Sequence, residues 1–108
     1  MFSIQRQYID WVKTGKNLQL LRNDNVNLRR EACRINNLHK AECNGECESC
    51  KYDMDSNISR KELAALFGVS DNVIYSWETG RTPIGLEDLL FYCQVAKVRL
   101  EDVIVFVK

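Results

Sequence analysis

The feature that most constrains this chain is a glycine placed between two short stretches of helical apolar spacing. Apolar residues recur on both sides of it: Leu63, Ala64, Leu66 and Phe67 before, and Val73, Ile74 and Trp77 after. Gly68 stands where the first helix should end, because a residue without a Cβ adopts the left-handed conformation at low cost. Ser70 then offers its hydroxyl to the unpaired N–H groups of the next helix. Residues 59–83 are therefore predicted to form two helices joined by a tight turn.

This order of helix, short glycine turn and helix is that of the helix-turn-helix unit. In the versions of the unit that bind DNA, the second helix enters the major groove.

Length and composition limit the other possibilities. The 108 residues suggest a single domain, residues 1–108, which is too short for a catalytic barrel or a dinucleotide-binding domain. The sequence has one histidine, no paired carboxylate motif, no glycine-rich phosphate loop and no nucleophile elbow, so no enzyme is expected. We find neither a membrane span nor a signal peptide pattern, and we expect a cytoplasmic protein. Because the net charge is zero, any phosphate-binding surface must be a local patch.

Helices are also predicted outside this unit, except in residues 40–57, which are predicted to form a loop. Residues 2–13 favour a helix, although a strand face also fits, and Thr14-Gly15 marks a boundary. From Lys16 the apolar spacing predicts either one helix to about residue 38 or two helices broken near Asn25. Further helices follow after Pro83 and from Glu101 to Ile104, and the apolar tail 105–107 suits the core or an oligomer contact. The predicted core contains Leu18, Leu21, Leu63, Ala64, Phe67, Val69, Ile74, Trp77, Leu86, Leu89, Leu90 and Val103, and Cys93 reads as a small core residue.

An ordered set of motifs resembles the Cro/cI repressor helix-turn-helix family, often called the XRE family. The matching residues are Glu62-Leu63-Ala64, Phe67-Gly68-Val69-Ser70, Ile74, Trp77-Glu78, Gly80, Pro83, Leu86, Leu89 and Val98-x-Leu100-x-x-Val103, with Lys16–Arg22 similar to the family's first helix. The resemblance implies an all-α, five-helix repressor-like domain. Two segments depart from the family pattern: an N-terminal extension at 1–13 and a Cys-rich insertion at 29–57, which precedes the helix-turn-helix and following helices at 58–104.

The resemblance also implies a DNA-binding surface. Asp71, Asn72 and Ser76 would face base edges, and an asparagine amide suits adenine because it pairs with both N6 and N7. Asp71 either accepts from cytosine or only favours the start of its helix through the dipole, and Tyr75 either reaches the DNA backbone or packs on the surface. The flanking residues would contact phosphates, which position a protein without reading sequence. The full predicted surface is Ser59, Arg60, Lys61, Ser70, Asp71, Asn72, Tyr75, Ser76, Thr79, Arg81 and Thr82.

Arg22 and Glu78 match a family pair that joins the first helix to the end of the recognition helix. A bidentate, charge-assisted pair at these positions would fix the angle of that helix.

Four of the five cysteines, Cys33, Cys43, Cys47 and Cys50, lie in or beside an acidic segment that is nearly free of aliphatic residues. Such a segment has little hydrophobic means of ordering itself, so we predict one structural zinc ion bound by the four thiolates. Free thiols and an iron–sulfur cluster are the alternatives, and His39 is a substitute ligand for Cys33.

These features predict a sequence-specific DNA-binding transcriptional regulator that binds double-stranded DNA as a homodimer. The alternative is a protein-interaction module that keeps the repressor-like fold without DNA binding, which the zero net charge, Asp71 and the acidic segment favour.

Overall fold

The computed structural model describes residues 8–36 and 58–107. These residues form six helices: α1 (Trp11–Asp24), α2 (Val26–Asn36), α3 (Arg60–Phe67), α4 (Asp71–Thr79), α5 (Leu86–Ala96) and α6 (Leu100–Val103). The only strand-like pairing within the described residues is a single antiparallel bridge between Ile9 and Phe106. The predicted all-α class is confirmed, with six helices instead of five. None of the helices in this part of the chain is long and apolar enough to cross a membrane.

Helix α1 runs through the Thr14-Gly15 pair, so the predicted boundary at this pair is wrong. The helix begins after Asp10, whose Oδ1 accepts from the Lys13 N–H at 3.0 Å. Gly15 is buried against the end of α4, and a Cβ there would lie 2.3 Å from the Trp77 carbonyl oxygen. The glycine therefore serves a close helix crossing and does not end the helix. Residues 8–10 are extended, and residues 2–7, half of the helix predicted for 2–13, lie outside the described residues.

Gly80 closes the same crossing from the other side. It ends α4 with φ +76°, and a Cβ on it would lie 2.7 Å from Cα of Val12 in α1. Two glycines thus bring the backbones of α1 and α4 together, which places the first helix directly against the second helix of the helix-turn-helix unit.

The chain breaks at Asn25, which confirms the two-helix alternative. The Asn25 Oδ1 accepts from the Leu28 N–H at 2.9 Å and so caps α2, while its Nδ2 donates to the Ala96 carbonyl at 3.0 Å. Leu28 and Ala32 of α2 are completely buried. The predicted insertion at 29–57 therefore begins inside a helix that contributes to the core, and residues 37–57 lie outside the described part of the chain.

The helix-turn-helix unit has the predicted shape. A capping box begins α3: Ser59 Oγ accepts from the Glu62 N–H at 3.0 Å, and Glu62 Oε1 accepts from the Ser59 N–H at 2.8 Å. Gly68 ends α3 in the left-handed conformation with φ +69°, as predicted. Ser70 precedes α4, but its hydroxyl makes no capping hydrogen bond. The predicted side-chain cap is wrong, because the Val73 N–H bonds to the Ser70 carbonyl instead, at 3.1 Å.

The core confirms most of the predicted apolar positions. Buried residues among them are Leu18, Leu63, Ala64, Ile74, Trp77, Leu89, Cys93 and Val103, with Leu21, Phe67 and Val69 partly buried against them. Leu86 and Leu90 were predicted wrongly, since they are 64% and 48% exposed. Helix α5 turns Leu89, Tyr92, Cys93 and Ala96 inward instead.

The Tyr92 hydroxyl donates to the Leu18 carbonyl of α1 at 2.9 Å. Burial, with a smaller contribution from Glu78, raises the pKa of this phenol far above its usual value, so it stays a neutral donor.

The apolar tail after α6 pairs with the residues that precede α1. The Asp10 N–H donates to the Val105 carbonyl at 2.7 Å, and the Val107 N–H donates to the Tyr8 carbonyl at 2.8 Å. Phe106 and Val107 are 46% and 56% exposed. The tail was predicted to lie either in the core or in an oligomer contact. The side chains of Phe106 and Val107 do not lie in the core.

Candidate nucleic-acid interface

Helix α4 has one buried and one exposed side. Ile74 and Trp77 point into the core at 1% and 6% exposure, and Trp77 meets the Phe67 ring edge-on with centroids 5.4 Å apart. The opposite side is polar and open to solvent, with Ser76 half-buried beside exposed neighbours. The exposed positions on this side are Asp71, Asn72, Tyr75 and Thr79. The residues that the sequence assigned to base and backbone contacts therefore share the outer face of the second helix.

The flanks of the unit also open to solvent. Ser59 and Lys61 lie at the start of α3, Ser70 lies just before α4, and Arg81 and Thr82 lie just after it; all five are exposed. The Thr82 N–H donates to the Ser76 carbonyl at 3.2 Å, which folds the loop after α4 back along that helix.

The Thr79 hydroxyl already has partners within α4. It donates to the carbonyls of Tyr75 and Ser76, at 2.9 and 3.3 Å. A phosphate oxygen only accepts, so the predicted phosphate contact requires this hydroxyl to turn away from its own helix.

A buried carboxylate fixes α4 to the rest of the fold. Arg22 donates to both oxygens of Glu78, from Nε to Oε2 at 2.6 Å and from Nη2 to Oε1 at 3.2 Å. The Glu78 side chain is 2% exposed and the Arg22 side chain 10%. The third contact of this guanidinium is from Nη1 to the Ile58 carbonyl at 2.8 Å. The predicted bidentate pair is confirmed, and it also holds the chain that enters α3.

Arg60 is a second partner of Glu78, and sequence reasoning missed this role. Its Nε donates to Glu78 Oε1 at 2.9 Å, and its guanidinium carbon lies 5.0 Å from the centre of the exposed Tyr75 ring. Arg60 thus joins the start of α3 to both sides of α4. Its predicted phosphate contact competes with an ion pair that already exists in the folded chain.

A shallow depression lies beside the exposed face of α4. Its lining residues are Asn72, Val73, Ser76, Trp77 and Thr82. No sequence signal indicated it, because it depends on the loop after α4 folding back against the helix.

The structure places one of the four predicted metal ligands. Cys33 is buried on α2 at 9% exposure, while Cys43, Cys47, Cys50 and the substitute His39 lie outside the described residues. Within 8–36 and 58–107, no three side chains of His, Cys, Asp or Glu come together as a metal site.

Cys93 lies in the core as predicted, and burial, with the nearby Asp102 carboxylate, raises the pKa of its thiol.

The fold agrees with a comparison against family models. Residues 54–103 match the model of the helix-turn-helix family to which the Cro/cI-type proteins belong. The match covers a little under half of the chain, and it shows that these residues are similar to the XRE-type helix-turn-helix proteins, a family of DNA-binding proteins. No curated protein and no solved structure matches the chain. The matched range begins after α1, so the Lys16–Arg22 resemblance rests on the sequence motif and on the Arg22–Glu78 pair.

Proposed function

We propose that this protein is a sequence-specific transcriptional regulator that binds double-stranded DNA as a homodimer on a two-fold operator. The observation that carries the proposal is the exposed polar face of α4 on a helix whose angle is fixed by the buried Glu78. A recognition helix needs both properties, because side chains reach base edges only when the helix lies at a defined angle in the major groove.

Charge supports a small local phosphate-binding surface. Lys61 and Arg81 are exposed at opposite ends of the helix-turn-helix unit, Lys61 in the first turn of α3 and Arg81 just after α4. They would contact the DNA backbone on either side of the groove, which sets the register of α4 but reads no sequence. We propose no enzymatic activity, and the cytoplasmic location stays a prediction.

The second candidate is a protein-interaction module that does not bind DNA. The exposed Asp71 favours it, because a carboxylate in the first turn of α4 would stand close to phosphates. A random DNA duplex at low salt distinguishes the two functions. A regulator binds it with an affinity that falls steeply as salt rises, and an interaction module gives no shift at any salt concentration.

Replacing Asn72 by Ala should relax discrimination at one base pair of each half-site. The expected loss is about 1–3 kcal/mol of preference for adenine, the value of one bidentate amide contact. Selection of duplexes from a randomised library measures it, with the parent protein and the variant compared position by position. An unchanged base preference would place the reading surface elsewhere.

Arg60 and Arg81 were both predicted to contact phosphates, but their replacement should affect DNA binding differently. Arg81→Ala should weaken binding to all duplexes and lower the slope of log affinity against log salt by about one. Arg60→Ala should leave that slope nearly unchanged, because its guanidinium is engaged by Glu78. Titrations at four or more salt concentrations measure both slopes. Equal decreases in the two variants would mean that Arg60 leaves Glu78 to neutralise a phosphate.

We also propose that Cys33, Cys43, Cys47 and Cys50 bind one structural zinc ion. The support is the soft donor set and the near absence of aliphatic residues from the segment that carries three of these cysteines. Metal content of the freshly purified protein tests the proposal. An equimolar zinc content that is lost when these cysteines are replaced by serine supports it, and iron in place of zinc supports the iron–sulfur alternative.

A further inference from the structure

The depression beside α4 has an apolar floor and a polar rim. Trp77 is buried and Val73 half-buried, while Asn72 and Thr82 on the rim are exposed. The hydrogen bond from the Thr82 N–H to the Ser76 carbonyl, at 3.2 Å, holds the outer wall in place. The depression has a volume of about 160 Å³, which is more than enough for a methyl group.

Its position restricts what the depression meets when α4 lies in a major groove. Asn72, Ser76 and Thr82 all belong to the predicted DNA-binding surface, so the opening faces the nucleic acid and not the core. The Val73 side chain and the carbon atoms of the Trp77 ring neither donate nor accept hydrogen bonds, so this part of the lining suits an apolar group better than a polar base edge or a phosphate. One group in the major groove is apolar and stands out from the base edges, namely the C5 methyl of thymine.

We infer that this depression takes the 5-methyl group of a thymine, next to the base pair that Asn72 reads. The inference rests on the proposed function, because it needs α4 to lie in the major groove. It assigns Val73 and Thr82 a part in specificity that their residue types do not indicate. An asparagine that pairs with adenine and an apolar site for thymine together favour an A·T-containing half-site.

The test removes the methyl group and nothing else. In a duplex selected by the parent protein, each thymine is replaced in turn by deoxyuridine, which keeps the base pair and its hydrogen bonds. One replacement in each half-site should weaken binding about fourfold, which is the effect of burying one methyl group. The other replacements should change affinity by less than that.

Protein variants connect the effect to the depression. Val73→Thr exchanges a methyl for a hydroxyl of the same size, and Thr82→Ser shortens an exposed side chain, so two independent positions test the lining. Each should reduce the thymine-to-deoxyuridine affinity ratio towards one. Arg81→Ala is the matched control: it should weaken both duplexes equally and leave the ratio at its parent value.

Two failures are distinguishable. Specific duplex binding that is indifferent to deoxyuridine at every position overturns the methyl site and leaves the proposed function intact. Absence of any duplex binding at low salt overturns the proposed function and the methyl site with it. If both Val73→Thr and Thr82→Ser keep the parent ratio of thymine to deoxyuridine affinity, the assignment of the methyl group to this depression is also overturned. The methyl group would then lie against other residues.

Discussion

Glu78→Gln is expected to lower the free energy of unfolding by about 3–5 kcal/mol, the cost of breaking a buried ion pair by removing one partner. The carboxylate is 2% exposed and accepts from both Arg22 and Arg60. An amide keeps one acceptor but sets an NH₂ group against guanidinium donors, so Arg22 would remain charged in a site with little access to water. Urea unfolding followed by circular dichroism measures the loss.

The matched control is Glu101→Gln. Glu101 also pairs with an arginine, Arg99 at 3.4 Å, but both side chains are more than 70% exposed. Because an exposed pair contributes about 0–1 kcal/mol, this variant should stay close to the parent. Similar losses in the two variants would show that the burial of Glu78 adds nothing to its pair.

Trp77→Ala is expected to have an effect of the same size, about 3–5 kcal/mol, for a different reason. Trp77 is 6% exposed and packs edge-on against Phe67, so its removal leaves a cavity where α3 and α4 meet. The loss should appear in the urea midpoint followed by circular dichroism, since the tryptophan signal itself changes. A loss below about 1 kcal/mol would show that the core closes over the missing ring.

Tyr75→Ala provides the comparison on the same helix. Its ring is 45% exposed and contacts the guanidinium of Arg60. Removing it forfeits about 0.5–1 kcal/mol of cation–π interaction and creates no cavity. The two truncations therefore separate core packing from surface contact within α4.

Local signals predicted the helix-turn-helix unit well. The left-handed Gly68 and the apolar spacing around it depend on a few neighbouring residues, so the sequence carries them directly. The Arg22–Glu78 pair was predictable only through the family resemblance, because the two residues are far apart in the chain. The residues on the exposed face of α4 were predicted from the same family resemblance.

The features that the sequence did not predict depend on distant contacts. Gly15 looked like a helix end, yet it is a helix interior position that lets another backbone approach. Helix α5 carries apolar residues on most of its own sides. The spacing of these residues therefore did not show that Leu86 and Leu90 face solvent. The Arg60–Glu78 contact depends on the angle between α3 and α4, which no local pattern encodes.

The glycine crossing between α1 and α4 has a consequence for redesign. At Gly15 an added Cβ meets the Trp77 and Glu78 backbone, and at Gly80 it meets the Val12 backbone, so a library randomised at either position should return glycine. None of these contacts involves the outward side chains of α4. Asn72 and Ser76 can therefore be exchanged for other residues while the scaffold keeps its geometry, which makes the domain a suitable starting point for engineered operator preferences.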